Sequence, residues 1–141
     1  MTESKGGGLG FLLAQAAQRW RNEVAGALRD LDVTTPQFFV LMTLLRERKR
    51  TSMPVTQRDV AERTGSDANT TSQVVRTLEA RALVVRGEHP TDSRAVALSL
   101  SEDGAELARQ CSVRVRGVNE RFFRHADAAA LAKQLGVLLG D

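Results

Sequence analysis

The sequence contains one cysteine, Cys111, so no disulfide can close within the chain and the fold must rest on packing. Such cysteine usage suits a reducing compartment, and a cytoplasmic protein is expected. Long apolar runs are also missing. The longest one near the start, Leu9 to Ala14, meets Gln15 at once and Gln18 soon after. It is shorter than the ~7–15-residue core of a signal peptide and cannot span a bilayer, so no membrane partner is expected. Histidine is scarce: His89 and His125 lie far apart with no second cysteine, which leaves no basis for a metal site. The Gly6–Gly8 run follows no strand and precedes no Gly-Lys-Ser/Thr, which excludes a nucleotide loop. With no nucleophile–base set and no zinc helix motif, neither an enzyme nor a cofactor is expected. Lysine is nearly absent. Of 20 basic residues only Lys5, Lys49 and Lys133 are lysines, so arginine carries the positive charge. Arginine suits phosphate and guanine recognition. A GC-rich genome favouring Arg and Ala codons would produce the same bias.

What is present is an ordinary globular chain. Its 141 residues fit one domain, and a chain of this size buries about 68–70% of its unfolded surface. The net charge of +3 permits a polyanionic partner without requiring one. Residues 1–8 read as a frayed polar tail before a single domain over 9–141. From Leu9 the apolar positions Leu12, Leu13, Ala16, Trp20, Val24 and Leu28 recur at helical steps to about Leu31. Thr34 with Gln37 forms a capping box, and Pro36 is tolerated in the first turn of the next helix. That helix is apolar nearly all round, from Phe38 to Leu45, and is therefore expected to be buried. Arg46 to Arg50 then forms a cluster opposed only by Glu47, which fits a solvated helix end or a phosphate contact. Met53-Pro54-Val55 reads as an extended link.

Thr56 caps a short helix that Gly65 stops, and Asp67 caps a second helix from Ala68 to about Arg81. Val74, Val75 and Leu78 are its expected apolar stripe, with Asn69, Ser72, Gln73 and Arg76 on the other side. Leu83-Val84-Val85 begins a strand, Arg86 to Ser93 has loop chemistry, and Val96, Leu98 and Leu100 alternate as a second strand. Ser101 caps a helix with Leu107, Cys111, Val115, Val118 and Phe122 on one stripe. Asp127 caps a last helix bearing Leu131, Leu135, Leu138 and Leu139. The fold class is therefore mainly α with a small β-hairpin wing (α+β). It is a winged helix-turn-helix over about 34–100, flanked by helices over about 9–31 and 102–139 whose surplus apolar faces call for a partner subunit.

In such a motif the second helix enters the major groove and the first braces it across the backbone. The spacing of Asn69, Ser72, Gln73 and Arg76 lets them point into a groove together. The same spacing also fits a plain solvated face, and a protein- or RNA-binding winged helix remains the alternative.

The chain resembles the MarR (multiple antibiotic resistance regulator) family. The residues that carry the resemblance are Leu78 through Arg86, the wing triplet Asp92-Ser93-Arg94, and Leu98-Ser99-Leu100-Ser101-Glu102-Asp103-Gly104. Thr34 through Phe38 and Val55-Thr56-Gln57 are also similar. The resemblance implies a sequence-specific regulator of transcription, commonly a repressor, that binds a pseudo-palindromic site in double-stranded DNA as a homodimer. It places Ala68, Asn69, Ser72, Gln73 and Arg76 against bases and phosphates, Thr70 against phosphate, and Arg94 at the minor groove. Asp92 would orient Arg94 by a charge-assisted hydrogen bond. It further implies release by a small aromatic or amphipathic effector, for which Trp20, Phe38, Phe39 and Met42 are candidate lining residues. Core packing is the competing role for those four. Cys111, on a late apolar stripe, reads as packing rather than as an oxidant sensor. Two departures from the family pattern stand out. Ala82 replaces the usual Gly, so its turn must avoid a left-handed backbone or tolerate strain. Thr71 replaces an apolar residue, an exchange expected to loosen the recognition helix.

Overall fold

The computed structural model describes residues 2–141, with side chains from Gly8 onward. The tail expected over residues 1–8 thus falls, but for Gly8, outside the residues described in full. The chain divides into two compact units. One joins the residues up to Ala27 with Val113–Asp141, and the other is Leu28–Ser112.

The Leu28–Ser112 unit holds the helix-turn-helix. After a 3₁₀ turn at Arg29–Leu31, helix α2 spans Thr35–Arg50. Its start is the expected capping box: Thr34 Oγ1 accepts from Gln37 N–H, and Gln37 Oε1 accepts from Thr34 N–H. Phe38, Val40, Leu41, Leu44 and Leu45 are buried, so this helix forms the spine of the unit. It packs on α3 (Gln57–Thr64), on α4 (Ala68–Ala80) and on strand β3 (Val96–Leu100). A second capping box, Thr56 with Asp59, starts α3. Gly65 ends it at φ 73°, a left-handed position where a side chain would be strained. Val60, Val75, Leu78, Val84 and Leu98 complete this core. Fully burying each such side chain contributes about 1.5–3 kcal/mol.

The sheet has three antiparallel strands in the order β1 (Val55–Thr56), β3 (Val96–Leu100), β2 (Val84–Glu88). The hairpin of β2 and β3 is the one that the alternating pattern predicts; β1 is only two residues long and has no periodicity to mark it. Strand β2 also runs on through Arg86-Gly87-Glu88, in register with Leu98, Ala97 and Val96, where a loop was expected. Cross-strand pairing outweighs the breaker signal of Gly87.

The other unit contains α1 (Thr2–Leu28) up to Ala27, the second half of α5 (Glu102–Phe122), and α6 (Ala128–Leu139). Within it Trp20 Nε1 donates to Asn119 Oδ1 at 2.7 Å, and Arg114 Nη1 donates to the Ala27 carbonyl at 3.1 Å. Asp127 caps α6 as expected. Leu9, Phe11, Leu12, Leu138 and Leu139 are all more than 60% exposed, and Leu9, Leu12, Leu13, Leu131, Leu135 and Leu138 line an apolar cleft of about 490 Å³. Among the described residues, no helix is long and apolar enough to cross a membrane.

Candidate nucleic-acid interface

Helix α4 presents two faces. Thr71, Val75 and Leu78 are buried, whereas Ala68, Asn69, Thr70, Gln73 and Arg76 are exposed and Ser72 is half-exposed. The buried stripe therefore runs through Thr71 rather than Val74, which is half-buried. The Thr71 hydroxyl is satisfied within the helix: Oγ1 donates to the Asp67 carbonyl at 2.9 Å, so its burial leaves no unmet donor. Turning the polar residues of one helix face outward leaves amide, hydroxyl and guanidinium groups at steps of three and four, the geometry by which a helix reads a groove.

The start of α4 is held by Asp67. Its carboxylate accepts from Thr70 N–H at 2.7 Å and from Thr70 Oγ1 at 3.0 Å. These bonds, the backbone one first, lower the Asp67 pKa below the usual carboxylate value. They also engage the one proton of the Thr70 hydroxyl, so Thr70 serves the cap in this structure.

Net charge does not mark the interface, because Lys+Arg and Asp+Glu balance within Leu28–Ser112. Pairing narrows the candidates, and position in the motif selects among them. Glu47 takes Arg63 at 3.1 Å and Arg50 at 3.5 Å, Arg58 meets Glu62, Arg48 meets Glu102, and Arg86 on the wing meets Glu79 on α4 at 3.6 Å. Arg81 is bound to the Asp32 carbonyl at 2.7 Å. Half of the Arg46–Arg50 cluster is thereby neutralised. Among the described residues, Arg76 and Arg94 have no carboxylate at ion-pair distance, and both are exposed. Arg29, Arg46 and Lys49 share this state, but Arg76 lies on the exposed face of α4 and Arg94 on the wing, the two elements that a winged helix turns to DNA.

Asp92 acts differently from expectation. Its Oδ1 accepts the backbone N–H of Arg94 at 3.0 Å, and no guanidinium–carboxylate pair joins the two side chains. Residues two apart across a tight turn bring carboxylate and amide together more easily than carboxylate and a long side chain. The wing is anchored at its far end around Ala82, whose φ of 59° shows that the strained alternative is the one realised. Ser101 Oγ donates to the Ala82 carbonyl at 2.7 Å and accepts Gly104 N–H at 3.0 Å. This brace was not anticipated, although Ser101 and Gly104 were both visible in the motif.

The four effector-lining candidates are divided between the two units. Trp20 belongs to the unit of α1 and lines a small apolar cleft there with Phe122 and Phe123. Phe38, Phe39 and Met42 belong to α2. Phe38 is core, Phe39 and Met42 are half-buried, and the Phe38 and Phe39 rings lie 5.8 Å apart.

The chain matches the MarR family over residues 31–95, the helix-turn-helix and most of the wing. It is 38% identical over 125 residues to YdcH, an HTH-type transcriptional regulator of Bacillus subtilis, covering 89% of this chain and 82% of that one. Among solved structures it is similar to CouR of Rhodococcus jostii RHA1 bound to p-coumaroyl-CoA, with a TM-score of 0.79, 28% identity, and coverage of 92% and 88% of the two chains. It is also similar to Bordetella bronchiseptica BpsR, whose DNA binding is regulated by 6-hydroxynicotinic acid. The TM-score is 0.77, with 26% identity and coverage of 94% and 91%. A helix whose polar face is turned outward, braced as these residues brace it, is what that kinship requires, and the chain belongs to the MarR family of DNA-binding transcriptional regulators.

Proposed function

We propose that the protein is a cytoplasmic repressor that binds a pseudo-palindromic operator as a homodimer and is released by a small aromatic or amphipathic effector. In this reading α4 lies in the major groove. Asn69, Ser72, Gln73 and Arg76 face base edges, and Ala68 and Thr70 lie at the backbone near the helix start. The wing sets Arg94 at the minor groove, with Asp92 holding its backbone. The observation that carries the reading is the placement of two exposed arginines without a carboxylate partner, Arg76 on the polar face of α4 and Arg94 on the wing.

The partner subunit is a second copy of this chain. The exposed leucines of α1 and α6 and the cleft they line support this, because apolar surface of that extent marks an interface. Two copies related by a two-fold axis would set two recognition helices about one DNA turn apart. Effector control draws support from the relatives, since CouR was solved with p-coumaroyl-CoA and BpsR answers to 6-hydroxynicotinic acid. Such a ligand acts by preferring a conformation that does not fit the operator. The protein catalyses no reaction and carries no cofactor.

The test is a gel shift on the protein's own promoter region at two salt concentrations, with unrelated duplex and RNA as competitors. A regulator binds a palindromic segment tightly and loses affinity steeply with salt. Gln73→Ala should change base preference, each good bidentate contact being worth about 1–3 kcal/mol of discrimination. A uniform loss over all duplexes, or equal competition by RNA, refutes the operator reading.

A further inference from the structure

The wing tip holds a histidine that DNA contact leaves unused. His89 follows the last residue of β2 and precedes Pro90, which has a fixed φ and no N–H. Its ring folds back over the turn. Nδ1 lies 3.2 Å from Thr91 N and 3.1 Å from Asp92 N, with Thr91 Oγ1 at 3.3 Å. Backbone N–H groups only donate, so Nδ1 is an acceptor here and the ring proton sits on Nε2. Asp92, held in this way, passes the constraint on by accepting Arg94 N–H on Oδ1. Two turns are thus joined in series, from imidazole to Asp92 and from Asp92 to the backbone of Arg94.

We propose that His89 is a positioning residue for Arg94, and that the wing keeps its DNA-binding shape only while the imidazole is neutral. This rests on Arg94 being the wing's DNA contact. A proton on Nδ1 would face two amide hydrogens, turning both bonds into repulsive contacts. Imidazole is the side chain that takes up a proton between neutral and mildly acidic pH. The charged groups of the hairpin around the ring are Arg86 and Glu88 on β2 and Asp92 and Arg94 on the return. Helix α4, which packs on β2, adds Arg76 and Glu79. Glu79 is taken by Arg86, and among the described residues no carboxylate lies at ion-pair distance from the His89 ring; the attraction of Glu88 and Asp92 for an imidazolium opposes the loss without restoring the two amide bonds. Attraction between an imidazolium and DNA phosphate would act in the opposite direction. It is a single solvent-screened charge set against the loss of the whole tip geometry.

The experiment is fluorescence anisotropy of the full chain on its promoter DNA at pH 7.5, 6.5 and 5.5 and constant ionic strength. It compares wild type, His89→Asn, Arg94→Ala and the double variant. Asparagine offers Oδ1 where Nδ1 lies and does not titrate. Wild type and His89→Asn should bind alike at pH 7.5. At pH 5.5 wild type should be about fivefold weaker than His89→Asn, the order expected for one net hydrogen bond. On the Arg94→Ala background that gap should vanish. In the free protein the Thr91, Asp92 and Arg94 amide resonances should titrate together with the His89 ring. Parallel profiles for wild type and His89→Asn overturn the proposal. So does a gain of wild type over His89→Asn in acid, which would make the imidazolium a phosphate contact, or a gap that survives Arg94→Ala. If Arg94→Ala binds like wild type at pH 7.5, the reading of Arg94 itself is what fails.

Discussion

Replacing Gly104 with alanine should make the helix-turn-helix unit easier to unfold, although alanine is the better helix former. Gly104 lies in the first turn of α5, against the chain entering β2. A Cβ there would overlap the Leu83 carbonyl oxygen and stand 2.9 Å from its carbon and 3.2 Å from Leu83 Cα. The obstacle is backbone, and it is tied down. The Leu83 carbonyl accepts Ser101 N–H at 3.1 Å, and Ser101 Oγ bridges Ala82 and Gly104. Relief requires moving either the start of α5 or the start of β2, and overpacking of this kind costs about 1–3 kcal/mol. Helix propensity returns at most about 1 kcal/mol. Because the obstacle is backbone that is tied down, the cost lies in the upper part of that range, about 2–3 kcal/mol, and the net loss is about 1–2 kcal/mol. In urea, with a slope of roughly 2 kcal/mol/M for a chain of this size, the midpoint should fall by about 0.5–1 M. A midpoint equal to or above that of wild type would mean that the close approach of α5 to Leu83 is not a constraint of the fold.

The same junction supplies a prediction of opposite sign. Ala82→Gly removes a left-handed alanine costing about 1–2 kcal/mol but frees the unfolded chain by about 0.4–1 kcal/mol. A gain of about 0.5–1 kcal/mol by urea titration is expected, and a loss would show that the turn is unstrained. Asp67 should confer acid-dependent stability. Its pKa is lowered on folding, chiefly by the Thr70 N–H. Its contribution is therefore fully present above the ordinary carboxylate pKa and lost as pH falls through the lower folded value. The midpoint difference between wild type and Asp67→Asn should change between pH 7 and pH 3, and a pH-independent difference would contradict the assignment. Trp20→Phe deletes the bond to Asn119 and should lower stability by about 0.5–1.5 kcal/mol, read as a drop in Tm. An unchanged Tm would make that bond incidental.

Much of this was legible in the residues because local chemistry and tertiary structure agree. Thr34 with Gln37, Thr56 with Asp59, Asp67, Gly65 and Asp127 each mark a helix end that backbone groups must satisfy somewhere, and each is found doing so. The polar face of α4 was legible for the same reason, since periodicity places Asn69, Gln73 and Arg76 opposite Val75 and Leu78. What escaped depends on partners distant in sequence. Strand β1 exists only because Val55 and Thr56 meet Leu98 and Ala97. Thr71 joins the core because its hydroxyl finds a carbonyl one turn back. Which arginines are free is decided by Glu47, Glu79 and Glu102 across element boundaries, and no count of charges reveals it. The role of Asp92 changed because the nearest donor in a tight turn is an amide.

The central claim is that Arg76 and Arg94 meet DNA. The most direct measurement is the salt dependence of binding to the promoter segment for wild type, Arg94→Ala and Arg76→Ala, with circular dichroism to verify folding. Loss of a minor-groove or phosphate contact at Arg94 should weaken binding across sequences and reduce the slope of log affinity against log salt by about one. Arg76→Ala should in addition relax the preference for one base. Unaltered affinity and slope in both folded variants would contradict the claim.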